Sequence, residues 1–101
     1  YLWYAAHSGD HEIYPDCRPE FIDKMAAVLE ICDYHKIKFE APFQNFSKSE
    51  IVKTGLAMGL DYSKAWTCYE GKEKPCGKCS ACLERALSFK ANNTKDPLND
   101  I

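Results

Sequence analysis

The sequence predicts an α/β fold that carries a helical segment built around four cysteines. Three observations point there. The chain opens on an apolar run, Tyr1-Leu2-Trp3-Tyr4-Ala5-Ala6, which reads as a strand buried on both faces. Amphipathic stretches of helical period follow, with a short alternating strand between them. Finally, Cys68, Cys76, Cys79 and Cys82 fall within fifteen residues, spaced C-x7-C-x2-C-x2-C.

After the opening strand, residues 7–19 form a polar loop with one glycine and two prolines, Gly9, Pro15 and Pro19. Pro19 suits a first helical turn, where its missing N–H costs nothing. The helix is expected to run from Pro19 to about His35, because Phe21/Ile22, Met25, Val28/Leu29 and Cys32 make one apolar stripe. Met25 and Cys32 on that stripe read as core fillers. Ile37 to Ala41 alternates like a short strand, and Pro42 ends it. Ser47-Lys48-Ser49-Glu50 matches a capping box and opens a second helix, with Gly59 as its C-terminal cap. A last helix over about Ser80 to Lys90 carries Leu83, Leu87 and Phe89. The polar end, residues 92–101, reads as a disordered tail.

A chain of 101 residues is enough for one small domain, and 46% hydrophobic residues with thirteen aromatics argue for a folded core. A formal charge of −2 gives no general drive toward nucleic acid or an anionic membrane surface. No apolar run has the length of a transmembrane helix and no signal-peptide pattern appears, so a cytoplasmic protein with no membrane partner is expected. The start on Tyr1, without methionine, suits the C-terminal part of a larger protein.

The cysteine spacing is a metal-ligand pattern. Cys76-Gly77-Lys78-Cys79 forms a tight knuckle, Cys82 follows one helical turn later, and Cys68 arrives from the preceding loop. Four soft thiolates on short, glycine-containing loops are what one tetrahedral zinc requires. Two disulfides are the competing reading, and an iron–sulfur cluster would use the same four thiolates.

Other chemistry is concentrated between His7 and Arg18, after the C-terminal end of the opening strand, where open α/β sheets place ligand crevices. Asp16 and Arg18 could read a polar heterocycle, carboxylate to N–H donors and guanidinium to an acceptor, and Tyr14 could stack on a flat ring. The plain alternative is a surface loop in which Asp16 caps the next helix and pairs with Arg18. His7 and His11 are a weak metal pair. Cys17, beside an arginine near a helix start, is either a nucleophile or a packed thiol, and nothing near it completes a catalytic constellation. Lys48 opposes its helix dipole unless an anion such as phosphate docks there.

Taken together, Tyr14-Pro15-Asp16-Cys17-Arg18-Pro19-Glu20-Phe21, Pro42-Phe43, Lys48-Ser49-Glu50-Ile51, Gly55, Trp66-Thr67-Cys68-Tyr69 and the remaining cysteines resemble one family from about Leu2 to Phe89. That family is the 7-cyano-7-deazaguanine synthases, queuosine-pathway enzymes of the PP-loop ATP pyrophosphatase superfamily. The resemblance implies the C-terminal part of a PP-loop, adenine nucleotide alpha hydrolase-like, doubly wound fold. Residues 1–60 would be α/β domain with the substrate loop, 61–91 a four-cysteine zinc-binding helical segment, and 92–101 tail. It implies a homodimeric, ATP-dependent ligase that joins 7-carboxy-7-deazaguanine and ammonia into the 7-cyano compound, with magnesium accompanying ATP. Asp10, Tyr14, Asp16 and Arg18 would lie near the deazaguanine and Lys48 near phosphate. Cys68, Cys76, Cys79 and Cys82 would hold one structural zinc; no catalytic residue is implied.

One departure stands out. The family's Ser-Gly-Gly-x-Asp-Ser loop for ATP pyrophosphate is not in this sequence; Gly9 stands alone in His7-Ser8-Gly9-Asp10. The expectation is a part that needs the N-terminal half of the same enzyme and is inactive alone. Two alternatives compete. A non-catalytic zinc module for a protein or RNA partner has no reason to carry the Tyr14–Phe21 run. A tRNA-thiolating relative would need a sulfur-carrying cysteine, for which only Cys17, flanked by prolines, is available.

Overall fold

A computed structural model describes residues 1–98. The chain divides into two compact units, Tyr1–Ser47 and the part from Lys48 onward. The sequence predicts a boundary at residue 60. The observed one lies earlier because the helix that follows Ser47 packs against the last helix.

The first unit is a β–α–β arrangement. Strand β1, Leu2–Trp3, pairs in parallel with β2, Phe39–Glu40, with Leu2 opposite Phe39 and Trp3 opposite Glu40. Parallel neighbours need a long crossover, and helix α1, Pro19–Ile31, supplies it. Ala6, Ile22 and Ala41 form the core, with Tyr4, Cys17, Phe21 and Phe39 packed on it. The expected strand, buried on both faces, is shorter and more open than predicted. Leu2 is 47% and Trp3 71% exposed, because β2 is the one strand beside it among the described residues. Helix α1 stops at Ile31, short of His35. Cys32 is therefore an exposed capping residue instead of a core filler, and the Asp33 carboxylate takes the Tyr34 N–H at 2.7 Å.

The second unit packs helix α2, Lys48–Ala57, against α3, Ser80–Ala91. Gly59 ends α2 as the sequence predicts. At φ +76° it lets its own N–H reach Leu56 O and the Leu60 N–H reach Gly55 O, the two bonds of a Schellman cap. Gly55 is required for a different reason. A Cβ there would lie 2.8 Å from Tyr62 Cζ, and the Tyr62 ring packs edge-on against Phe89 at 5.2 Å.

Of the apolar residues that the sequence places on α3, Phe89 is buried and the two leucines are not. Leu83 and Leu87 are 53% and 66% exposed, whereas Cys82, Arg85, Ser88 and Phe89 are buried. Residues 92–98 are also more ordered than a frayed tail. Asn92 caps α3, its side chain donates to Ser88 O and Ser49 O, and Asp96 is buried in an ion pair with Arg85. The rest of the expected tail, 99–101, lies outside the described residues. No helix among the described residues is long and apolar enough to cross a membrane.

Candidate metal centre and substrate loop

The four cysteines converge from two arms of the second unit. Cys68 comes from the loop after a 3-10 turn at Tyr62–Lys64, and Cys76, Cys79 and Cys82 from the knuckle and first turn of α3. Gly77, at φ +71°, folds the knuckle so that the N–H groups of Lys78 and Cys79 both point at Cys76 Sγ, at 3.3 and 3.2 Å. Cys79 is the N-cap of α3, and its sulfur accepts the Cys82 N–H at 3.4 Å. Cys68 Sγ accepts from Glu70 N at 3.4 Å and Cys76 N at 3.3 Å. The Trp66 indole N–H holds the same arm by donating to Cys68 O at 2.8 Å.

All four sulfurs lie within 4.8 Å of one another, with Cys76 and Cys82 4.0 Å apart. A zinc–sulfur bond of about 2.3 Å puts tetrahedral sulfurs roughly 3.8 Å apart, close to this spacing. A disulfide would need about 2.05 Å, and all six cysteines are free. The electrostatics suit a cation. Backbone N–H donors from Cys76 and Glu70 pull the Cys68 thiol below its usual range, and those of Tyr69 and Cys82 bring Cys79 down to about 6. Cys82 is pushed up to about 12, by burial and then by its thiol neighbours. Packed thiolates repel one another, and one divalent ion at their centre removes that conflict. The residues fit a closed four-thiolate metal site.

The loop predicted to bind substrate lies in the first unit and is held mainly by its own side chains. The Ser8 N–H and hydroxyl both donate to Phe46 O, at 2.9 and 2.8 Å. His7 is buried; its Nδ1 accepts the Gly9 N–H at 3.1 Å, so the ring proton sits on Nε2, 3.0 Å from Asp10 Oδ2. Arg18 donates through Nε to His11 O at 2.6 Å and through Nη2 to Glu12 O at 3.5 Å, bracing the loop across its middle. Asp16 accepts from Cys17 Sγ at 3.8 Å, and burial, then the nearby Asp16 and Cys17, raise the pKa of the Tyr4 hydroxyl.

Asp10, Asp16, Cys17 and Tyr4 thus come together, while Tyr14 is 44% exposed. Burial, and then the Asp10 and Asp16 carboxylates, push the Cys17 thiol up. The Cys17 side chain packs against the core of the first unit. His11 Nε2 is a buried atom without a hydrogen-bond partner among the described residues. Lys48 is the half-buried first residue of α2.

Sequence reasoning misses His7 as the partner of Asp10, Trp66 as the clamp on Cys68, and the buried Arg85. A signal for Arg85 is present: counting from Cys82 by helical steps of three and four reaches Arg85 and Phe89, the buried face.

Comparison with known proteins decides the family. Residues 1–93 match the family described as "Queuosine biosynthesis protein QueC". The chain belongs to this QueC family. Proteins named 7-cyano-7-deazaguanine synthase are similar to it: that of Psychromonas ingrahamii is 59% identical over 97 residues, that of Marinobacter nauticus 54%, and that of Pseudoalteromonas translucida 56%. Each alignment covers 96% of this chain and 44% of the relative, so the chain spans less than half the length of these QueC-family proteins.

Proposed function

We propose that this chain is the substrate-and-zinc part of an ATP-dependent enzyme that turns 7-carboxy-7-deazaguanine and ammonia into 7-cyano-7-deazaguanine. The observation that carries the reading is the family match over residues 1–93, together with relatives bearing that enzyme's name. The open edge of β1 supports a doubly wound PP-loop fold for the whole protein. Parallel sheets bury both faces, so Leu2 and Trp3 call for further strands, which an ATP-binding half of the same enzyme would provide.

The chemistry defines what the site must do. A carboxylate oxygen attacks the α-phosphorus of ATP and releases pyrophosphate, and ammonia then displaces AMP to leave an amide. A second ATP activates the amide oxygen, and loss of AMP and two protons leaves the nitrile. Asp10 and Asp16 are carboxylates suited to the N–H donors of the deazaguanine, and Tyr14 offers an exposed ring for stacking. Arg18 would serve the substrate by holding the loop and meeting its acceptors. The unpartnered His11 Nε2 is a further polar atom that a bound heterocycle could satisfy. Lys48 would meet phosphate of ATP–magnesium.

Zinc on Cys68, Cys76, Cys79 and Cys82 would be structural: four protein ligands leave no open position for substrate, and the ion supplies folding energy alone. The complete enzyme is a cytoplasmic homodimer in this reading, acting on small molecules and not directly on nucleic acid. The test is to incubate the complete protein with ATP, magnesium, ammonium and the 7-carboxy compound and to follow products by mass spectrometry. The amide followed by the nitrile, with AMP and pyrophosphate, is expected; ATP-dependent consumption of another acid in preference would overturn the assignment.

A further inference from the structure

The two arms of the cysteine centre are joined by a buried charge that lies outside it. Arg85 follows Cys82 by three residues on α3 and is 5% exposed. Its Nε and Nη2 donate to Asp96 Oδ2 and Oδ1 at 2.6 and 2.8 Å. Nη2 also donates to Tyr62 O at 2.9 Å, and Nη1 donates to Ala65 O. Those two carbonyls belong to the turn that leads directly into Trp66 and Cys68. Asp96, 6% exposed, also accepts the Leu98 N–H at 3.0 Å, so the segment after α3 is folded around the pair.

We propose that Arg85 is a positioning residue for the metal centre, bracing the arm that delivers Cys68 against the helix that delivers Cys79 and Cys82, with Asp96 orienting it. The physical reason lies in how the site is assembled. Backbone N–H groups orient the sulfurs of Cys68, Cys76 and Cys79 locally. Between the Cys68 arm and the knuckle, Cys76 N donates to Cys68 Sγ, and like the local bonds this one ends on a sulfur. Sulfur is a weak acceptor, so these bonds set the spacing of the arms only loosely. A planar guanidinium with fixed donors sets the distance from helix to turn far more rigidly. Burying it requires a counter-charge, and Asp96 supplies one with bidentate geometry. Asp96 lies beyond residue 93, where the family match ends.

This inference rests on the four cysteines binding metal. The test measures zinc release from the zinc-loaded protein into excess EDTA, with free zinc detected by a colorimetric dye. Arg85→Lys keeps the charge but loses the fork, and Asp96→Asn loses the counter-charge. Should either fail to fold, Arg85→Met combined with Asp96→Leu removes both charges together and carries the test. Release about tenfold faster than in the parent protein is expected for each, in the range typical of lost ligand-supporting contacts. Val52→Ala, which opens a cavity at the buried Val52 of α2, is the control; it should lower the melting temperature while leaving the release rate near the parent's. Parent-like release in the Arg85 variants overturns the brace, as does equal acceleration by Val52→Ala. A protein that binds no zinc at all would instead overturn the metal reading beneath it.

Discussion

In the cysteine lobe the sulfurs of Cys68, Cys76 and Cys79 each accept a backbone N–H, and a buried arginine ties the two arms together. In the loop from His7 to Arg18, side chains take that part. Ser8 holds Phe46 O, His7 holds Asp10, and Arg18 holds the carbonyls of His11 and Glu12, with Arg18, Asp16 and Tyr14 exposed. The two regions are expected to fail in different ways. A lobe whose four cysteines would share one central ion is expected to lose its fold as a unit, because ligation and folding would then be the same free energy. A loop held by separate polar contacts should lose binding step by step while its unit stays folded.

Cys79→Ser is expected to have the largest effect. Metal analysis should find no bound zinc, and the cooperative melting of the second unit should disappear; a parent-like metal content and melt would refute the ligand assignment. Arg18→Ala should come next. In the complete enzyme, removing a guanidinium bonded to two loop carbonyls should raise the KM for the deazaguanine about tenfold or more, the scale of a lost charged hydrogen bond, and leave the KM for ATP little changed. Equal rises in both would argue against a substrate loop.

Gly55→Ala sharpens the contrast without touching either site. The added methyl meets the Tyr62 ring, and the second unit should lose about 1–3 kcal/mol by overpacking, seen as a lower denaturant midpoint. An unchanged midpoint would show that Tyr62 moves aside freely. Cys17→Ser should have the smallest effect, roughly 1 kcal/mol of stability for a half-buried thiol made polar, with most turnover kept. Abolished turnover in a folded variant would make Cys17 a nucleophile despite its raised pKa.

Much of the local structure is legible in the sequence for local reasons. Pro19 marks the start of α1 because its ring suits a first turn, and Gly59 marks the end of α2 because the cap needs positive φ. The cysteine spacing indicates converging ligands, since the knuckle and the first turn of α3 hold three of them within seven residues. Other features mislead. Leu83 and Leu87 look like the inner stripe of α3, yet Arg85 is inside because Asp96 and two carbonyls satisfy it. The segment around Asp96 looks polar enough to fray, and it is ordered by that same ion pair. Arg18 looks like a ligand-binding cation, and in the structure two of its donors hold its own loop.

The end of α1 is not legible in the residues alone, whereas the family, the helix starts, the end of α2 and the clustering of four cysteines all are. These follow from short-range rules of backbone sterics, capping and spacing, along with residue runs specific enough to identify relatives. The tertiary structure decided which side of α3 is buried, where the two compact units divide, and which polar groups are paired. Those outcomes depend on partners far apart in the chain, such as Arg85 with Tyr62, Ala65 and Asp96. A buried charge is stable only when its partners converge in three dimensions, and residue order along the chain does not encode that convergence in any local pattern.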